Sequence, residues 1–96
     1  MSLPAKWQVP AGVTLTWKQW NDDFLVFNPH TGDTHLLDFV AAAGVQCFEQ
    51  EALDEEALRD RLASRLEVEP DPELSTYAAQ LITHLDHLGL IEAETA

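Results

Sequence analysis

The hydrophobic period of this chain changes at Asp38. Before it, apolar residues fall in short runs separated by turn formers; after it, they recur at helical spacing. Such a switch predicts an α+β domain in which a small sheet is built first and helices then cover it. Ninety-six residues suffice for one domain with a modest core.

Three segments before the switch read as strands. Val13 to Lys18 alternates apolar and polar residues, as a strand with one buried face does. Phe24-Leu25-Val26-Phe27 is apolar on both faces, which suits a central strand. Thr34-His35-Leu36-Leu37 is shorter and half polar. The stretch Asn28 to Asp33 is dense in turn formers and predicts a hairpin between the last two. The expected sheet is an antiparallel meander with its third strand at an edge. Residues 1–12, with Pro4, Trp7, Pro10 and Gly12, read as an irregular arm, leaving 13–96 as the domain.

Three helices follow. Asp38 is placed to cap a first helix over Phe39 to Phe48 that is apolar nearly all round. Asp54 precedes a second helix with Leu58, Leu62 and Leu66 on one face. Asp71-Pro72-Glu73 opens a third, with proline at the first helical position and acid near the positive end of the dipole. Leu74, Tyr77, Ala78, Leu81, Leu85 and Leu88 share its stripe, and Gly89 suits its C-terminal cap. The architecture is winged-helix-like: a three-stranded antiparallel sheet followed by three helices.

Charge narrows the classes of partner. The chain has 17 acidic and 5 basic residues, a net charge of −12. Phosphate backbones and anionic membranes require clustered cations, so nucleic acid and membrane are unexpected partners. No apolar run approaches the roughly 20 residues of a membrane span, and the N-terminus does not read as a secretory signal. The single cysteine, Cys47, has no internal partner for a disulfide, which fits a cytoplasmic setting. The acids between Glu49 and Glu73 form a solvated helix face or a surface that steers a basic partner.

Catalytic motifs are missing. His84 and His87 are spaced i, i+3 but lack a third metal ligand at a recognisable spacing. Cys47 and His35 are a formal nucleophile pair, yet a cysteine within an apolar helix is ordinarily a small core residue. No glycine-rich phosphate loop or serine elbow is present. Neither a cofactor nor a metal is expected, and the chain does not read as an enzyme. Trp7, Trp17 and Trp20 are core aromatics or partner contacts.

The edge strand carries a mechanism of its own. Its unpaired N–H and C=O groups can accept another strand, and a neighbouring amphipathic helix can form the second wall of a groove. The third strand and the third helix, with Glu73, Thr76, Gln80, His84 and His87 on its polar flank, are the candidates.

The string Trp20-Asn21-Asp22-Asp23-Phe24-Leu25-Val26-Phe27-Asn28-Pro29, followed by Thr31-Gly32-Asp33-Thr34-His35-Leu36-Leu37, resembles the PqqD-like peptide chaperones, also called RiPP recognition elements. The Gly-Asp-Thr-His-Leu-Leu element resembles the branch associated with HPr-kinase-related systems. Leu88-Gly89-Leu90-Ile91 at the end of the last helix fits the same pattern. The resemblance implies capture of a precursor or leader peptide, which is presented to a modification enzyme (radical SAM or HPr-kinase-related). It places Thr34, His35, Leu36 and Leu37 on the pairing strand and Leu81, His84 and Leu85 near the groove; with Asp38 after the strand and Thr76, Gln80 and His87 on the polar flank of the helix, these are the expected peptide-binding residues. Two other readings stand beside it: a structural subunit that homodimerises or docks on an enzyme, and a DNA-binding winged helix, which the charge opposes.

Overall fold

A computed structural model describes residues 6–94. Its central unit is a three-stranded antiparallel sheet of β2 (Thr16–Trp20), β3 (Asp23–Asn28) and β4 (Asp33–Leu37), in that spatial order. Three helices follow: α1 (Phe39–Gln50), α2 (Glu55–Leu66) and α3 (Pro72–His87). The expected α+β class is therefore observed, with β3 in the middle and β4 at an edge.

The segment expected to be an irregular arm contains a strand. β1 (Trp7–Gln8) pairs antiparallel with β5 (Glu92–Ala93), and the Trp7 backbone also exchanges two hydrogen bonds with Leu53. Trp7 thus ties the start of the chain to the α1–α2 connection and to its end. These partners lie tens of residues away, and nothing local in the sequence announces them. Pro4 falls outside the described residues.

Register fixes the two faces of the sheet. Trp17, Val26 and His35 stand opposite one another, as do Gln19, Phe24 and Leu37, and this face meets the helices. Lys18, Leu25 and Leu36 line the other face with Thr16, Phe27 and Thr34. Val26 and Leu37 are buried, whereas Trp20, Phe27 and Leu36 are exposed. The Trp17 indole N–H donates to Glu49 Oε1 at 3.0 Å, fastening β2 to the end of α1.

Helix starts follow one chemistry. Asp38, Asp54 and Asp71 each accept a hydrogen bond from the backbone N–H three residues on, at 2.8 Å in every case. Each cap satisfies a donor that the first helical turn leaves orphaned. α1 is the central helix and buries Ala41 to Val45, Cys47 and Phe48, although Phe39 at its start is exposed. α3 ends where Gly89 adopts φ +78. The Gly89 N–H bonds to Asp86 O and the Leu90 N–H to Leu85 O, closing the last turn while Leu85 and Leu90 are both fully buried.

Candidate functional site

Among the described residues β4 has a strand partner on one side only. Its free edge faces the side of α3, and between them runs a groove of about 290 Å³. Leu36, Leu37 and Asp38 form the strand wall, and Tyr77, Gln80, Leu81 and His84 the helix wall, with Ala41 of α1 also lining it. The lining is apolar at the floor and polar along the helix rim.

Two anchors hold the walls apart. At one end the buried Asn28 accepts the His30 N–H at 2.9 Å through Oδ1, and its Nδ2 reaches Gly89 O at 3.5 Å. The start of β4 is thereby held near the end of α3. At the other end β4 runs directly into α1 through the Asp38 cap. Gly44 brings α1 close against α3, since a Cβ there would lie 2.6 Å from Leu81 Cδ2. A larger residue at 44 would push Leu81 toward the groove.

Each expected site residue can now be placed. Leu36, Leu37, Asp38, Gln80, Leu81 and His84 line this groove. His87 lies further along α3 and, with Ala79, Gln80, Thr83 and His84, lines a shallower depression of about 530 Å³. Thr34 is exposed on the outer face of the sheet, away from the helices. His35 points to the inner face, and its Nε2 is buried without a hydrogen-bond partner. Thr76 is exposed and its hydroxyl donates to Pro72 O. Leu85 is fully buried in the core and cannot form a groove wall. It shares a helical stripe with Leu81 in sequence, but only Leu81 reaches the groove.

Tyr77 and Ala41 belong to the groove without having been assigned to it. Tyr77 reads from the sequence as one more stripe residue, and its hydroxyl is the only distinguishing signal. Burial pushes that phenol above its ordinary pKa, and the Asp38 carboxylate raises it further. The two groups therefore sense each other across one end of the groove.

Chemistry elsewhere is sparse. Among the described residues no cluster of three metal-ligating side chains occurs. Desolvation pushes the buried Cys47 thiol up, against opposing effects of Arg65 and Arg61. Among the described residues no helix is long and apolar enough to cross a membrane.

The fold has a solved counterpart. The chain is similar to TbiB1 in the structure of TbiB1 in complex with the TbiA(beta) leader peptide. The TM-score is 0.66 and the identity 17%, over 93% of this chain and 99% of that one. The likeness is one of fold. No family model matches the chain. No curated protein matches it either.

Proposed function

We propose that this chain is a non-catalytic peptide-binding module. It takes up an extended leader or precursor peptide by strand addition along β4, against α3, and presents it to a modification enzyme. The observation that carries this reading is the unpaired edge of β4 facing a preformed groove. An added strand exchanges water for main-chain partners, each such bond contributing about 0.5–1.5 kcal/mol net. The apolar floor accepts alternate side chains of that strand, and Gln80 and His84 offer polar contacts on the helix side. The shared fold of a protein seen bound to a leader peptide supports the same reading. The setting in this reading is the cytoplasm, and the enzyme served is radical SAM or HPr-kinase-related.

Chemical-shift mapping with candidate precursor peptides tests the groove. Shifts are expected to concentrate in residues 34–38 and 73–88. Shifts confined to the rest of the chain would sink the model.

A second reading has one observation in its favour. Trp20, Phe27 and Leu36 are exposed together on the outer face of the sheet, a surface suited to docking on an enzyme or a second copy. Light scattering separates the two, because a dimer formed through the β4 edge leaves no free groove.

A further inference from the structure

The groove does not stop at Tyr77. On the far side of this residue lies another depression of about 460 Å³, and Tyr77 lines both. Its apolar surface comes from Val68, Leu74 and Tyr77, and its rim from Glu69, Asp71 and Glu73. Val68 is 51% exposed. Asp71 spends Oδ1 on its helix cap. Among the described residues no cation lies within ion-pair distance of any of these three carboxylates.

The chain's arginines are held by other groups. Arg59 pairs with Asp60 and donates to Ser75 Oγ at 3.4 Å on the first turn of α3, Arg61 pairs with Glu51, and Arg65 donates to Ala43 O and Gln46 Oε1. Lys18 stands on β2, at the opposite edge of the sheet from the groove. The other end of α3 differs in kind, since His84 and His87 line it and no carboxylate does.

Building on the strand-addition reading, we propose that the occupant is a peptide with a basic flank beside an apolar anchor. The anchor fills the groove lined by Leu37, Tyr77 and Leu81, and the lysines or arginines lie over Glu69, Asp71 and Glu73. β4 runs from the Gly89 end of α3 toward its Pro72 end. A peptide adding antiparallel to β4 therefore enters from the acidic end, and its basic flank precedes the anchor. Charge thus sets the class of peptide, and antiparallel pairing with β4 sets the order of flank and anchor.

Display selection of random 12-residue peptides on the full chain tests this. Enriched sequences are expected to carry an apolar anchor preceded by Lys or Arg. A lysine-flanked peptide is expected to bind on the order of tenfold more tightly than its glutamate-flanked counterpart at low salt, with the gap closing as salt rises. Selection on the E69Q/E73Q double variant should keep the anchor and lose the basic flank. Anchored peptides with no charge bias, or a basic flank unchanged by E69Q/E73Q, would overturn the proposal and leave the groove standing. Chemical shifts from an enriched peptide that avoid residues 34–38 and 73–88 would remove the groove and this proposal together.

Discussion

Alanine at Leu36 and alanine at Leu85 should fail in opposite ways. Both leucines belong to the strand and helix that face each other, and sequence alone assigns both to the same site. Leu36 is 59% exposed, whereas Leu85 is 0% exposed. Fully burying a leucine side chain is worth about 1.5–3 kcal/mol. Folding has captured about two-fifths of that at Leu36, so L36A should cost less than about 1 kcal/mol of stability. A docked peptide would cover the remainder, worth about 1–2 kcal/mol, so L36A should weaken peptide binding about 5- to 30-fold. L85A leaves a cavity in the core and should cost about 3–5 kcal/mol, a large fraction of the roughly 5–15 kcal/mol that holds a small domain together. Urea unfolding followed by tryptophan fluorescence measures the first quantity, and titration with a labelled precursor peptide the second. Equal destabilisation by the two variants would refute the burial argument. Unchanged peptide affinity in L36A would refute the assignment of Leu36 to the groove wall.

Three further outcomes follow from single contacts. D71A removes the acceptor for the Leu74 N–H and should lower stability by about 1 kcal/mol, while D71N, which can still cap, should retain most of it in the same urea assay. D38N keeps the cap on α1 but removes a negative charge near Tyr77; tyrosinate absorbance, unambiguous because the chain has one tyrosine, should then titrate at lower pH, though still above the ordinary range because burial is the larger cause. Although Glu49 keeps much of its surface in solvent, partial desolvation raises its carboxyl, partly offset by the Trp17 hydrogen bond, so its ionised form is disfavoured in the fold. The stability tied to its protonated form is complete below the unfolded carboxylate pKa and is lost as pH rises through the raised folded value. E49Q should therefore match the parent in acid and become the more stable of the two toward neutral pH; a constant difference across the titration would refute this.

What the sequence discloses is local. The caps at Asp38, Asp54 and Asp71 are legible because each spans three residues, and the hairpin because its turn formers are adjacent. The edge position of β4 follows from the order of short strands. The β1–β5 pair is not legible, because two-residue strands carry no period and Trp7 and Ala93 are 86 positions apart in the chain. Leu85 is expected at the groove and Tyr77 is not, and both differ from the structure for one reason. A helical stripe shows which residues turn toward the protein, but not which margin of the stripe meets the core and which meets an open groove. That depends on where β4 lies, a tertiary fact. Phe27 and Leu36 carry the same lesson for the sheet: the helices cover one face, and an apolar residue on the other remains in solvent.

The groove persists because its two walls are fixed at opposite ends and unpaired between. Asn28 and Gly89 tie one end, and the direct passage of β4 into the Asp38-capped helix ties the other. Had α3 turned its leucine stripe fully toward the strand edge, apolar contact would have closed the gap. Instead Gln80 and His84, both exposed, occupy the rim, and polar groups gain little from being pressed against a strand edge. The edge N–H and C=O groups are thus left to water, open to another backbone. In the proposed strand addition a wall already in place would lose little freedom, and most of the ordering cost would fall on the peptide. Affinity should then respond more to how readily the peptide extends than to substitutions that loosen the domain at a distance.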